Sequence, residues 1–149
     1  MTPHEPKTRR RKLISRSFFS VFSDDLNKTS AWYVDLFDYQ VTFNSDWFVH
    51  LHAPQSSALE LGIILRSHEI VPIPFRGDVA GGMLTIVVDD VDKFHHKAMS
   101  SGATVVEAPQ DLFYGQRRML LTDPNGLLVD VSSECPPDPD WLASLSQSS

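Results

Sequence analysis

The chain carries an approximate internal duplication, and no other feature limits its possible folds as tightly. Ser20 to Lys28, SVFSDDLNK, lies over Thr85 to Lys93, TIVVDDVDK. Each copy reads as a short strand, an Asp-Asp pair and the start of a helix. An acid in each is placed to accept hydrogen bonds from the free N–H groups of the first helical turn: Asp25 or Asn27 in the first copy, Asp90 or Asp92 in the second. The helices are NKTSAWYVDLF, with Trp32, Tyr33, Leu36 and Phe37 as its apolar stripe, and DKFHHKAMSSG, with Phe94 and Ala98 inward and Gly102 as its stop. Three short strands follow each helix, over 39–43, 47–52 and 58–65 in the first copy and 104–108, 117–122 and 127–132 in the second. Toward the end the offset widens, so that Pro54 lies over Pro124 and Glu60 over Asp130. A βαβββ unit therefore occurs twice.

The last hairpin, LLTDPNGLLVDV, sets a register. Pro124 presets φ for a turn, Asn125 tolerates the next position, and Gly126 can take the left-handed conformation that closes a three-residue bulged loop. Asp123 then pairs with Leu127, which puts Leu120 opposite Asp130 and Arg118 opposite Ser132. One face carries Arg118, Leu120, Leu128 and Asp130. The other collects Met119, Leu121, Leu127, Val129 and Val131, an apolar surface that a helix can cover. A two-residue loop would set Met119 opposite Asp130 and split the apolar residues between the faces, so the bulged form is expected.

A small open sheet under one helix cannot bury both its faces, so the two units must curl together. The expected architecture is α+β: two βαβββ modules, 14–65 and 82–133, forming curled mixed sheets around a cup into which Glu60 and Asp130 point. The Pro- and Gly-rich stretch 66–81 links them. Residues 1–13 read as a mobile basic tail, and 134–149 as an extended C-terminal tail with Trp141 and Leu142 available to dock. The repeat also places Phe18 over Met83, on the face that holds Ser20 and Thr85.

A formal charge of −6 argues against a nucleic-acid-binding surface, despite the basic run KTRRRK at Lys7 to Lys12. The one cysteine, Cys135, allows neither an internal disulfide nor a cysteine zinc site and fits a reducing compartment. The apolar run LISRSFFSVF is interrupted by Arg16 and lacks a signal-peptide cleavage pattern, and nothing approaches the length of a membrane span. A cytoplasmic protein that binds neither nucleic acid nor membrane is expected.

Three segments, FSDDLNKTSAWYVDLFDYQV, VVDDVDKFHHKAMSSGATVVEAP and YGQRRMLLTDPNGLLVDV, together resemble the vicinal oxygen chelate superfamily, the glyoxalase, bleomycin-resistance and extradiol-dioxygenase group, over Ile14 to Ser133. The resemblance implies a cup between paired modules, commonly paired across a homodimer, and a small-molecule ligand, as in the bleomycin-resistance proteins. In metal-using members four strand positions bind the ion; carried over, these fall on Phe18, Met83, Glu60 and Asp130. A phenyl ring offers no lone pair, a thioether prefers soft metals, and two carboxylates fall short of the three protein ligands of a catalytic zinc. No metal cofactor is therefore expected. The alternative is a lyase or dioxygenase of the same group with a divalent metal ion on Glu60, Asp130 and His50, and a third option is a regulatory or partner-binding module with an empty cup.

His50 lies over Leu120 in the repeat and shares a face with Glu60 and His52. It is a candidate catalytic base oriented by Glu60, or else a hydrogen-bonded histidine with no chemical role. Arg118 either holds an anionic ligand group or is tied to Asp130 and Glu60 in a salt bridge. Ser20, Thr85, Leu120, Trp47 and Phe48 complete the expected ligand-binding lining, an aromatic cup suited to planar organic molecules. His95 and His96 are adjacent on a helix, diverge by about 100° and cannot share one metal.

Overall fold

The computed structural model describes residues 13–147, so all of the expected basic tail except Leu13 lies outside the described residues. The first module runs β1 (Phe19–Ser23), α1 (Leu26–Phe37), β2 (Gln40–Asn44), β3 (Phe48–Ala53) and β4 (Ser56–Leu65). A single 3-10 turn at Ile73–Phe75 interrupts the linker. The second module is β5 (Met83–Val87), α2 (Val91–Ser101), β6 (Thr104–Asp111), β7 (Gln116–Thr122) and β8 (Leu128–Glu134). The sheets have the same order, β1-β4-β3-β2 and β5-β8-β7-β6, each with its first strand parallel to its last and the remaining pairs antiparallel. The duplication read from the sequence is thus a duplication of topology.

Both helices start where the Asp-Asp pairs predict. Asp25 is extended and accepts a hydrogen bond from the Lys28 N–H at 3.1 Å, while Asp90 accepts from the N–H groups of Asp92 and Lys93. They end alike by different means. Gly102 takes the left-handed conformation after α2, and Asp38, at φ 59°, takes it after α1.

The bulged hairpin forms as expected. Asp123 N–H donates to the Leu127 carbonyl at 2.9 Å, Gly126 has φ 85°, and Leu120 stands opposite Asp130 with Arg118 opposite Ser132. The Asp123 carboxylate accepts from the Asn125 and Leu127 N–H groups at 2.8 and 3.0 Å, which holds the loop from within.

Met119, Leu121, Leu127, Val129 and Val131 are buried, and they join Val21, Val49, Leu51, Leu61 and Ile63 of the first module in one core with Tyr33, Leu36 and Phe37 of α1 and Val91 and Ala98 of α2. Each such aliphatic side chain contributes about 1.5–3 kcal/mol. The modules meet through this layer: Phe37 stacks on Phe94 at 5.7 Å, Tyr33 Oη donates to Asp123 Oδ2 at 2.8 Å, and Asn125 Nδ2 donates to Thr29 Oγ1 at 3.1 Å. Burial, reinforced by the Asp123 charge, pushes the Tyr33 phenol well above its usual range, so it stays a donor.

Three expectations are corrected. Residues 139–147 are not extended: they form α3 (Pro139–Gln147), started by Asp138, whose carboxylate accepts from Asp140 N–H at 2.9 Å, and Trp141 packs its ring against Phe113 at 5.6 Å while Leu142 stays half exposed. β1 begins at Phe19, leaving Phe18 just ahead of the strand. Finally, Glu60 is not the twin of Asp130. Thr85, Asp130 and Leu120 lie side by side across the second sheet, and the same row in the first sheet is Ser20, Gly62 and His50. Glu60 sits two residues along β4 on the same face, opposite His52. Matching the prolines of two hairpins of unequal length displaced the alignment by two residues, because the first hairpin shifts register between His52 and Ala53.

Among the described residues no helix is long and apolar enough to cross a membrane.

Candidate functional site

The cup-facing side of each sheet holds one half-site. In the first, the antiparallel pairing of β3 and β4 brings His50 Nε2 to 2.8 Å from Glu60 Oε1. Arg16, two residues ahead of Phe18, reaches the same carboxylate: its Nε donates to both oxygens at 3.0 and 3.2 Å, and its Nη2 contacts Oε1 and lies 3.1 Å from His50 Nε2. The guanidinium also sits over the Phe18 ring at 5.0 Å. The Glu60 side chain is only 7% exposed, yet the Arg16 hydrogen bonds, with help from His50 and against the cost of burial, hold its carboxyl below the usual range. His50 Nε2 faces a carboxylate that wants a proton from it and an Arg16 N–H that wants its lone pair. One atom cannot serve both, so the tautomer follows whichever partner stays.

Aromatic rings enclose this pair. Phe18 meets His50 edge-on at 5.4 Å, with Phe48 tilted beside it and Phe43 behind. Gly62 allows the closure: a Cβ there would stand 2.3 Å from Ser20 Oγ and 3.1 and 3.2 Å from the Phe48 and Phe18 rings. Where the second module places an acid, the first leaves room for two phenyl rings.

In the second half-site Thr85 Oγ1 donates to Asp130 Oδ2 at 3.3 Å. Asp130 is 5% exposed, and its Oδ1 has no hydrogen-bond partner among the described residues. Burial raises its carboxyl above the usual range, with Thr85 and the Arg118 charge pulling it partly back. Arg118 Nη2 donates to Glu107 Oε2 at 3.1 Å, while its buried Nε also lacks a partner among the described residues. Leu120 is buried beside them and Met83 is half exposed.

The expected lining residues therefore separate. His50 and Glu60 come together, with Phe18, Ser20 and Phe48 around them; Asp130, Thr85, Leu120 and Arg118 form a second group on the other sheet. Met83 belongs to the row of Leu128, not to that of Asp130. Trp47 precedes β3 and stacks on His68 at 4.7 Å. Arg118 does meet an acid, but it is Glu107 of β6, not Asp130 or Glu60. Arg117 points away, to Asp92 and Asp111. A cavity of about 770 Å³ between the start of β4 and the edge of β5 is lined by Glu60 and Thr85, one residue from each half-site, together with Phe37, Tyr39, Leu59 and Phe94.

Arg16 and Glu107 are the two site residues to which the sequence assigned no role there. Arg16, Phe18 and Ser20 share one side of an extended stretch, a signal that was present but hidden while Arg16 counted only as a break in an apolar run. Glu107 lay inside the expected strand 104–108, but its approach to Arg118 follows from register shifts on either side of it that no local signal gives.

Two βαβββ modules whose mixed sheets share one strand order define a paired-module protein of the chelate-fold type. The chain belongs to the glyoxalase/bleomycin resistance protein/dioxygenase superfamily, whose model matches residues 16–131. It is similar to a glyoxalase/bleomycin resistance protein/dioxygenase family enzyme from Burkholderia phytofirmans PsJN (24% identity, 79% of this chain and 97% of that one, TM-score 0.68). It also resembles a superfamily member from Sphaerobacter thermophilus (19% identity, 82% and 98% covered, TM-score 0.66) and a genomically encoded fosfomycin resistance protein from Listeria monocytogenes (16%, 81% and 93%, TM-score 0.62). These structural likenesses concern the fold. No curated protein is similar enough in sequence to count as a relative.

The residues at the superfamily's metal positions do not suit a divalent ion in this chain. Phe18 and Met83 supply no hard donor, the Glu60 carboxylate is already held by a guanidinium, and Asp130 has only a threonine beside it on the first strand. Among the described residues no three His, Cys, Asp or Glu side chains converge.

Proposed function

We propose that the protein binds a small organic molecule in the cup between paired modules and does so without a divalent metal ion. The observation that carries this reading is Arg16 on Glu60: the positive charge that a metal would bring to the first half-site comes from the chain itself. The rings of Phe18 and Phe48 beside His50 favour a planar or apolar ligand.

The cup is completed by a second copy of the chain. Phe18, Phe43, Met83 and Val87 leave large apolar groups exposed beside the half-sites, which pairing of modules across a homodimer would cover. The lone free cysteine, Cys135, accords with the reducing cytoplasm as its compartment.

The second reading is a metal-dependent lyase or dioxygenase using Glu60, His50 and Asp130, and the 2.8 Å contact of His50 with Glu60 favours it. A thermal-shift screen of aromatic and polar small molecules, run with and without manganese, iron, nickel and zinc salts, separates the two. A ligand present at a hundredfold its Kd adds about 2.7 kcal/mol, a rise of roughly 5–11 °C for a domain of this size. Metal-independent shifts support the proposal. A shift from a metal salt alone that disappears in Glu60→Ala replaces it with the second reading.

A further inference from the structure

We infer that the second half-site recognises a neutral polar edge on its ligand, an N–H or O–H donor beside a carbonyl acceptor, as in a lactam, a cyclic amide or a hydroxycarbonyl. The inference rests on the small-molecule reading above and names the chemistry of that ligand.

Two buried polar atoms on this face lack partners among the described residues, and they are complementary in kind. Asp130 Oδ1 is an acceptor in want of a donor, and Arg118 Nε–H is a donor in want of an acceptor. They lie on one face: Asp130 pairs with Leu120 and Arg118 with Ser132, so the two side chains are diagonal neighbours across β7 and β8. Asp130 Oδ2 takes the Thr85 hydroxyl and Arg118 Nη2 donates to Glu107. The buried atoms left without a partner are thus one acceptor and one donor, a pattern that a ligand matches with one donor and one acceptor.

Charge selects among ligands of that pattern. Arg118 stands with Glu107 and Asp130, one positive group against two acids, so a carboxylate or phosphonate would meet net negative charge and leave Asp130 Oδ1 unpaired. A cation would satisfy Asp130 but face the guanidinium. A neutral edge satisfies both atoms without adding charge to a poorly solvated site. Leu120 stands directly opposite Asp130 and suits an apolar body behind that edge. The expectation of an anionic group on Arg118 gives way here, because Glu107 already supplies its anion.

The test uses the full ¹⁵N-labelled chain and three ring-sized probes: 2-pyridone, with N–H and C=O side by side, benzoate and benzamidinium. In ¹H–¹⁵N spectra 2-pyridone should move the Arg118 Nε–H signal and the backbone amides of Thr85 and Asp130, at concentrations where the other two probes do not. Asp130→Ala and Arg118→Met should each weaken 2-pyridone binding about tenfold or more, and the dispersion of the same spectra reports whether each variant is folded. Benzoate or benzamidinium moving those signals at lower concentration than 2-pyridone overturns the inferred chemistry and leaves the small-molecule cup standing. No response to any of the three also overturns the inferred chemistry, and the small-molecule reading falls with it only if the thermal-shift screen is silent as well.

Discussion

Asp130→Asn should stabilise the ligand-free protein at neutral pH. The carboxylate is 5% exposed, its one hydrogen bond, from Thr85, is 3.3 Å long, and its other oxygen has no partner among the described residues. A buried polar atom left unpaired costs about 1–3 kcal/mol, and more when charged. Asparagine keeps the shape and an acceptor for Thr85, and it exchanges an unpaired anionic oxygen for an unpaired amide, so the charge alone is removed. The Arg118 attraction returns part of the penalty, which leaves a net gain of about 1 kcal/mol, or roughly 2–4 °C in Tm. The gain must depend on pH in one sense. Burial raises the folded Asp130 carboxyl above its unfolded value, so the wild type carries no penalty in acid below the unfolded value and loses stability as pH rises through the raised one. Scanning calorimetry of both proteins from about pH 3 to 7 should show curves that meet in acid and separate toward neutrality, with the variant higher. A variant less stable at neutral pH, or a difference constant across the series, would mean that the pairing with Arg118 outweighs burial, and would refute the reasoning.

Gly62→Ala should cost about 1–3 kcal/mol in urea unfolding, because its Cβ enters the space of Ser20, Phe48 and Phe18; an unchanged midpoint would show that the rings do not close there. Tyr33→Phe takes the phenol donor from buried Asp123 and should lower stability by about 1–3 kcal/mol by the same measurement, with the helix-to-hairpin contact between modules the part that loosens. Phe18→His combined with Arg16→Ala should create zinc affinity measurable by titration calorimetry, since the new imidazole joins His50 and Glu60, whereas Met83→His should create none because its row-mate is Leu128.

The duplicated strand, Asp-Asp pair and helix start were enough to read the two modules, their helices and even the hairpin register, because Asp caps, a Pro-Asn-Gly turn and alternating apolar residues each have a local cause. The sites were legible only in part. The alternation that put Phe18, His50 and Glu60 on one face was sound, but the pairing of Glu60 with Asp130 failed because register across a hairpin depends on loop length and bulges, and the two hairpins differ in both. Arg16 and Glu107 escaped for a further reason. A long charged side chain reaches several ångströms from its own strand position, so its partner is set by the assembled surface, not by local spacing. The helix at 139–147 was missed because the prolines before it and the serines within it read as tail, while Asp138 as a cap and Trp141 against Phe113 supply what the composition did not show.

The most direct test of the metal-free cup is the metal content of protein purified without chelator, followed by titration with manganese, iron, nickel and zinc. Native protein is expected to carry no stoichiometric divalent ion and to bind none tightly, with Glu60→Ala and His50→Ala indistinguishable from it. A stoichiometric divalent ion in the native protein, lost in either variant, would contradict the claim and place Glu60 and His50 at a metal centre.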